Sequence, residues 1–235
     1  MADLRVPEVT RAVRALSSVY VRRRHTVSTG APLDSAGKRA AFALFYAPLH
    51  FLAAYMVVRA LGADAPPPTS VLDIGCGTGA AGAAWALAAG GGTRVIGIDR
   101  HPWAVEEARW SYRQLGLVAR ARQGEISRLP TMRPGAAVVA AYVLNELPER
   151  SRRQVEDQLI EAAGRWVRVL VLEPIARGVT PWWDATAARV ETAGGRADEW
   201  RFEIELPEVL ERFDRAAGLN HRTLKVRTLF AGGRD

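Results

Sequence analysis

Cysteine is nearly absent from this 235-residue chain, and its scarcity excludes two kinds of site. A single thiol, Cys76, allows neither an internal disulfide nor a metal site built from a cysteine cluster. The four histidines show no spacing with acidic residues that would indicate a metal site, so we predict none. We also expect no secretory signal, because Asp3, Arg5 and Glu8 stand where such a signal needs an apolar core.

Long apolar runs are missing as well. The most apolar segment, residues 40–61, is interrupted by Pro48, His50 and Arg59. A membrane-spanning helix needs about 20 consecutive, mainly apolar residues. We therefore expect no membrane span and a cytoplasmic protein.

Lysine is almost absent too, so arginine supplies nearly all of the basic charge behind a net charge of +7. Such a balance favours anionic partners, nucleic acid above all. The densest basic cluster contains Arg22, Arg23, Arg24 and His25, with Arg11, Arg14, Lys38 and Arg39 nearby. This cluster suits the phosphates of RNA, ribosomal RNA included, and a solvated charged surface is the alternative interpretation.

A triple proline at residues 66–68 divides the chain into two patterns. Residues 1–65 read as a helical cap on the substrate side, with helices over 7–20 and 35–61 and a kink or boundary at Pro48. Residues 66–235 alternate short apolar runs with helical patterns, which predicts a doubly wound, Rossmann-like α/β domain. Strands are predicted at 70–74, 94–98, 118–122, 136–142, 167–172, 200–206 and 221–230, with helices at 80–89, 102–115, 151–163, 181–192 and 207–217.

The strongest local signal is the run from Asp73 to Gly79, which ends the first strand and opens a helix. Glycines at 75, 77 and 79 let the backbone turn sharply and approach a ligand closely, because a Cβ would fill that space. Ligands bind at the carboxyl end of such a strand. We therefore predict that Asp73, Gly75, Cys76, Gly77 and Gly79 contact a cofactor.

Two acids follow the next two strands. Asp99 ends the second strand, where a carboxylate accepts hydrogen bonds from ribose hydroxyls, and a helix cap is its alternative role. Glu125 follows the third strand and is suited to an adenine amino group; a solvated loop acid is the alternative. Arg100 and Ile126, beside these acids, complete this part of the predicted cofactor site.

The segment 77–82 also matches the G-x-G-x-x-G fingerprint of dinucleotide enzymes, which keeps an NAD-dependent oxidoreductase as a remote alternative. Two observations favour another cofactor. The negative charge of Asp73 would oppose a pyrophosphate, and the glycine turn begins at Gly75, directly after the strand, rather than at Gly77.

With these residues the chain resembles the class I S-adenosylmethionine (SAM)-dependent methyltransferases over about residues 70–174. The resemblance rests on VLDIGCGTG, GIDRH, QGEISRLP, AYVLNELP and LVLEP. It implies a seven-stranded, mostly parallel sheet with a reversed C-terminal hairpin, SAM as cofactor and S-adenosylhomocysteine (SAH) as product. It further implies a role for Asp73 at the backbone or at the methionine moiety, for Asp99 at the ribose and for Tyr142 in the cofactor site.

A narrower similarity is to the mitochondrial small-ribosomal-subunit assembly methyltransferase-like family and its bacterial relatives. It rests on the segment from Tyr142 to Leu147 and on the helical residues 45–61. The cysteine-rich metal-binding pattern of that family is absent here. This similarity implies an alternative function, a SAM-binding and RNA-binding assembly factor without turnover.

The predicted acceptor site lies at the end of the fourth strand, with Asn145 and Glu146, and on the preceding helical segment, with Tyr46. Asn145 either orients the acceptor or caps the helix that follows Pro148. Trp182 is a further candidate for the wall of this site. The paired proline and aromatic residue typical of nucleic-acid amino-methyltransferases are missing after Asn145. The sequence therefore predicts methyl transfer to a small molecule or to RNA.

Overall fold

The computed structural model describes residues 6–22, 33–175 and 180–232. At its centre lies a sheet of seven strands: β1 (Ser70–Ile74), β2 (Arg94–Asp99), β3 (Ala119–Gln123), β4 (Ala137–Ala141), β5 (Arg168–Glu173), β6 (Arg196–Glu203) and β7 (Thr223–Ala231). Nearly every residue of β1, β4 and β5 is buried. Helices on both faces of a parallel sheet require such apolar central strands.

The strand order is β3-β2-β1-β4-β5-β7-β6, and only β7 runs antiparallel to its neighbours. The predicted doubly wound, Rossmann-like sheet with a reversed C-terminal hairpin is therefore confirmed. The chain order reverses between β1 and β4. In sheets of this kind a ligand binds outside the carboxyl ends of the strands at that reversal.

The described residues form eight α-helices around the sheet: α1 (Val6–Arg22), α2 (Ala36–Ala41), α3 (Ala47–Ala60), α4 (Ala80–Ala88), α5 (Pro102–Gln114), α6 (Glu149–Gly164), α7 (Trp183–Thr192) and α8 (Glu208–Ala216). Trp85 of α4 packs with Leu170 of β5 on one face. Leu159 of α6 and Trp183 of α7 pack with Val169 on the other. Because neighbouring strand residues point to opposite faces, each face receives its own apolar core.

A π-helical turn, Phe42–Tyr46, joins α2 and α3 into one continuous helix. The expected kink or boundary at Pro48 is not a break. Pro48 has no N–H to donate to the preceding turn, and the wider turn before it, in which the Ala47 N–H bonds to the Phe42 carbonyl, accommodates that loss. Such π turns occur often at functional sites.

The N-terminal helices share a core with the C-terminal end of the chain. Val13 and Leu16 of α1 are buried together with Phe45, with Phe213 of α8 and with Leu224 of β7. The division into a helical cap over residues 1–65 and a cofactor domain over residues 66–235 stays a prediction.

Among the described residues, the helix Ala36–Ala60 is long and apolar enough to cross a membrane by length and composition alone. Core helices of other proteins meet the same criterion. In this structure Ala54, Val57 and Val58 pack against α4 and the sheet. The expected absence of a membrane span and the cytoplasmic location stay predictions.

Candidate active site

A cavity of about 280 Å³ opens at the carboxyl ends of β1, β2 and β4, below the π-helical turn. Every residue predicted for the site lines it except Gly79 and Trp182; those that do are Tyr46, Asp73, Gly75, Cys76, Gly77, Asp99, Arg100, Glu125, Ile126, Tyr142, Asn145 and Glu146. The fold thus brings residues from distant segments to one place. Their individual roles stay predictions.

One wall, here called the glycine side, consists of the turn at residues 75–79 together with Asp99 and residues 124–126. Gly75 has a φ of +65°, and a Cβ built on it would lie 2.2 Å from Cγ2 of Val143. No other residue fits this position without displacing the side chain of Val143, which follows β4. The Cys76 N–H donates to the carbonyl of Ile98, which fixes the turn to the end of β2.

Gly79 serves packing rather than the cavity. Its φ is +84°, and a Cβ would lie 2.6 Å from the ring of Tyr112, a buried residue of α5. The glycine therefore lets α4 begin directly against α5. The structure therefore explains the glycine at position 79 by the close packing of α4 against Tyr112, and not by contact with a cofactor.

Asp99 is the centre of the glycine side. One carboxylate oxygen accepts a 2.8 Å hydrogen bond from the Gly77 N–H, and the other accepts one of 2.8 Å from the His101 N–H. A carboxylate oxygen has two lone pairs, so each still has capacity for a ligand hydroxyl. The carboxylate is half-buried and borders the cavity, where it is suited to a vicinal diol such as that of ribose.

Asp73 is only 1% exposed and accepts a 2.8 Å hydrogen bond from the Gly82 N–H. Burial raises the pKa of Asp73 to about 7; the Gly82 bond opposes this, and the charge of Asp99 adds to it. The carboxyl is therefore only partly ionised at neutral pH. Asp99 and Glu125 therefore contribute more than Asp73 to the negative charge that would repel a pyrophosphate in this cavity.

The outer part of the glycine side combines an exposed Glu125 with a buried Ile126. His101 also lines the cavity. Its buried Nδ1 has no hydrogen-bond partner in the structure. Burial, followed by the charge of Arg39, lowers the pKa of His101.

The opposite wall, here called the aromatic side, consists of Phe42, Tyr46, His50, Tyr142 and Asn145. The first three recur every fourth residue and so share one face of the long helix. His50 stacks on Tyr142 with ring centroids 4.1 Å apart. Burial lowers the pKa of His50 to about 4, so the imidazole is neutral at physiological pH.

Tyr142 adopts an unusual backbone conformation to reach this stack. Its φ of +58° lies in the left-handed region, which non-glycine residues rarely enter. Strain of this kind persists only where surrounding contacts enforce it, and it is concentrated at functional sites. Burial, followed by the charge of Glu173, raises the pKa of Tyr142, so its hydroxyl stays protonated.

Asn145 is held from behind by Glu173, a fully buried residue at the end of β5. The Asn145 backbone N–H donates to one carboxylate oxygen at 3.2 Å, and its side-chain amide donates to the other. The sequence prediction missed Glu173. Its only signal is an acid that ends an otherwise apolar strand.

Trp182 does not line the cavity. Its ring lies under the guanidinium of Arg152 at 5.1 Å and packs against the core below the sheet. Phe42 and His50 take the wall position that was expected for Trp182. A helical spacing of four, from Phe42 through Tyr46 to His50, is the signal in the sequence that could have identified them.

The glycine side fits an adenosine-bearing cofactor. A Cβ at Gly77 would approach only the Phe42 ring, at 3.3 Å, so the bare turn leaves space for a nucleoside. Asp73, Asp99, Glu125 and Glu146 place carboxyl groups around the cavity. This set suits the positive sulfonium and ammonium groups of SAM.

Comparisons with known proteins agree with this geometry. A family model described as a methyltransferase domain matches residues 71–167. The predicted resemblance to the class I SAM-dependent methyltransferases is therefore confirmed over this part of the chain. No curated protein sequence matches this methyltransferase significantly.

Three solved structures show the same fold as this methyltransferase. A TehB-like SAM-dependent methyltransferase from Corynebacterium glutamicum is 20% identical, with a TM-score of 0.50 over 77% of this chain and 87% of its own. An O-methyltransferase family protein from Burkholderia thailandensis is 18% identical, with a TM-score of 0.57 over 85% and 60%. Magnesium protoporphyrin IX methyltransferase from Synechocystis, solved with bound SAH, is 18% identical, with a TM-score of 0.51 over 86% and 88%. At these identities the likeness concerns the fold.

SAM is the cofactor of this methyltransferase. Of the residues present, Asp99 would hold the ribose hydroxyls, Glu125 and Ile126 would border the adenine, and the turn from Gly75 to Gly77 would pass beneath the nucleoside; all of these line the cavity, and their roles stay predictions.

Proposed function

We propose that this methyltransferase methylates a nitrogen or oxygen atom of a planar, uncharged small molecule that enters along the aromatic side. The observation that carries the proposal is a single cavity that the glycine side and the aromatic side line together. A cofactor held by Asp99 and an acceptor placed beside Tyr46 and His50 would share this space without a dividing wall.

The chemistry of the aromatic side favours a planar acceptor. Phe42 and Tyr46 each lie about 6 Å from His50, at 6.1 and 6.3 Å between ring centroids, and Tyr142 stacks on the same imidazole. Aromatic rings attract other rings through offset stacking and edge contacts. A planar acceptor gains such contacts at little entropic cost.

The charges around the cavity favour an uncharged acceptor. The carboxyl groups of Asp99, Glu125 and Glu146 line the cavity. The imidazole of His50 is neutral, because burial lowers its pKa to about 4. Arg100 is the one guanidinium among the lining residues that the structure describes, and it is exposed at the rim. An anionic acceptor would therefore meet repulsion near the reacting atoms.

When bound, SAM supplies an electrophilic methyl group whose transfer leaves the bonding electron pair on sulfur and yields SAH. The residues of the chain contribute positioning, which supplies most of the acceleration in such a displacement. Asn145 orients the attacking atom, and the aromatic side excludes water from it. The proton displaced from the methylated nitrogen or oxygen passes to solvent.

Calorimetry with SAM and SAH, followed by mass-spectrometric detection of SAH, tests the proposal. The acceptor panel pairs uncharged phenols and anilines with their carboxylated analogues. We expect turnover with uncharged members and at least about tenfold less with the carboxylates, as about 1.4 kcal/mol of repulsion would produce. Absence of SAM binding, or preference for the carboxylates, would contradict the proposal.

RNA stays an alternative acceptor or partner because of the net charge of +7. The run from Arg22 to His25 lies outside the side chains that the structure describes. Within the described part, Arg11 and Arg14 are exposed on α1, whereas Lys38 is paired with Asp34. Tight RNA binding that weakens steeply with salt, without methyl transfer, would favour the assembly-factor alternative.

A further inference from the structure

The contact between Asn145 and Glu173 is unusual because one residue occupies both oxygens of one carboxylate. The backbone N–H of Asn145 binds Oε1, and its side-chain Nδ2 binds Oε2. Glu173 is fully buried at the end of β5, whereas Asn145 is half-buried and lines the cavity. The pair therefore connects the sheet interior to the surface of the active site.

This geometry determines which end of the amide faces Glu173. An ionised carboxylate only accepts hydrogen bonds, so it selects the NH₂ group and rejects the carbonyl oxygen. The amide is planar, and its oxygen must then point away from Glu173. Asn145 lines the cavity, whereas Glu173 does not, so we infer that the amide oxygen faces the cavity.

A second buried residue lies opposite Glu173 in the sheet. Arg227 of β7 is the direct register partner of Glu173, and it is 3% exposed. Directly opposed residues of an antiparallel pair have Cβ atoms about 5 Å apart on one face. The guanidinium of Arg227 stacks over Trp183 at 4.3 Å, so the strand next to Glu173 carries a buried positive charge.

We propose that Glu173 is a positioning residue: its buried carboxylate holds the Asn145 amide so that the carbonyl oxygen faces the cavity. There this oxygen accepts a hydrogen bond from the molecule that is to be methylated. The inference rests on the proposed function and refines its substrate class. An acceptor recognised in this way carries an N–H or O–H on the atom to be methylated. Its lone pair is then directed toward the methyl group.

The chain offers a sharp spectroscopic test, because Asn145 and Asn220 are its only asparagines. Asn220 is exposed and serves as an internal control. Selective ¹⁵N and ¹³C labelling of asparagine, with SAH present, gives two side-chain amide groups. We expect one Asn145 amide proton downfield of those of Asn220 and protected from exchange with water. Two amides that behave alike would overturn the proposal.

Variants then test orientation. Glu173→Gln leaves one acceptor oxygen for the two N–H donors of Asn145 and should move the downfield proton toward the position of the Asn220 amide protons, while Glu149→Gln, an exposed substitution on α6, should preserve it. With the acceptor panel, Glu173→Gln should lower turnover by about 100-fold, the effect of slight misplacement, with SAH affinity unchanged. Turnover that survives the loss of the downfield proton would overturn the proposal.

The labelled wild-type protein keeps this test independent of variant folding and of acceptor identity. Addition of aniline to the SAH complex should shift the ¹³C resonance of the Asn145 side-chain carbonyl and leave that of Asn220 in place. A panel without any turnover, together with the held amide and this carbonyl shift, counts against the proposed reaction and supports the orientation of Asn145. An unmoved Asn145 carbonyl counts against the orientation.

Discussion

The two walls of the active site are built by different means. The glycine side is made largely of main chain: Gly75 and Gly77 have positive φ, and backbone N–H groups fix the Asp99 carboxylate. The aromatic side is made of side chains, with Tyr46 and His50 from one long helix and Tyr142 from the end of β4. The glycine side depends on backbone conformations that glycine allows. The aromatic side depends on side chains that come from segments far apart in the chain.

This difference matches what each wall must accomplish. SAM is the same molecule in every enzyme that uses it, so a fixed turn of the backbone serves as its seat. An acceptor differs between enzymes, and side chains change without altering the sheet. We therefore expect substitutions on the glycine side to affect stability and cofactor affinity, and those on the aromatic side to affect acceptor use.

The largest effect should come from Gly75→Ala. The new Cβ would overlap the side chain of Val143, and the backbone at φ +65° disfavours any L-residue. Overpacking costs about 1–3 kcal/mol, and the left-handed conformation costs about 1–2 kcal/mol more. Gly90→Ala is the matched control, because Gly90 also has positive φ and has nothing within 4 Å. Equal losses of unfolding free energy in chemical denaturation would contradict the close packing of Gly75.

The glycine side could be predicted from the sequence because its information is local. The run from Asp73 to Gly79 occupies consecutive positions, and Asp99 follows at the end of the next strand. The strands themselves were predicted to within one or two residues where burial makes them continuously apolar. The edge strand β6 begins at Arg196, four residues earlier than predicted, because its first residues are mostly polar.

Asp99→Ala should produce the next largest effect. It removes the carboxylate predicted to hold ribose and leaves the Gly77 and His101 N–H groups without their acceptor. A buried unpaired group costs about 1–3 kcal/mol, which corresponds to a roughly 5- to 150-fold higher Kd for SAH. Calorimetry measures the change, with Asp184→Ala, an exposed acid on α7, as control. An unchanged Kd would mean that the ribose lies elsewhere.

The pH dependence of SAM binding gives a smaller and continuous test of the glycine side. Burial raises the pKa of Asp73 to about 7, so the free enzyme holds a proton there below that pH. A bound cation favours the ionised carboxylate and expels this proton. Affinity should therefore rise with pH, by up to about tenfold per unit below pH 7, and level off above it.

Calorimetry between pH 5.5 and 8.5 measures this slope, and His50 titrates below the range, at about 4. Asp73→Asn should flatten the profile because no proton remains to be released. A flat wild-type profile, or affinity that falls as the pH rises, would show that Asp73 does not sense the cation.

The aromatic side could be predicted only in part, because its information is not local. Tyr46 was identified, but Phe42 and His50 were not, because their place in the cavity wall depends on how the long helix packs over the carboxyl ends of the strands, which no local pattern specifies. Glu173 was missed for a different reason. Its role depends on contact with Asn145, 28 residues earlier in the chain, and no spacing rule predicts that contact.

The smallest predicted effect tests whether the two walls are independent. They meet where a Cβ at Gly77 would lie 3.3 Å from the ring of Phe42, a contact that a small movement of the ring relieves. Gly77→Ala should cost about 1–2 kcal/mol of stability, mainly from its φ of +52°. Phe42→Leu makes room beside residue 77. In a double-mutant cycle, the part of the stability cost that is due to crowding should disappear in the double variant, whereas the part that is due to the backbone conformation should remain.

A coupling energy near zero, in stability and in SAH affinity alike, would mean that the glycine turn and the aromatic side are energetically independent. A favourable coupling of about 0.5 kcal/mol or more would mean that an acceptor that shifts Phe42 also adjusts the cofactor turn.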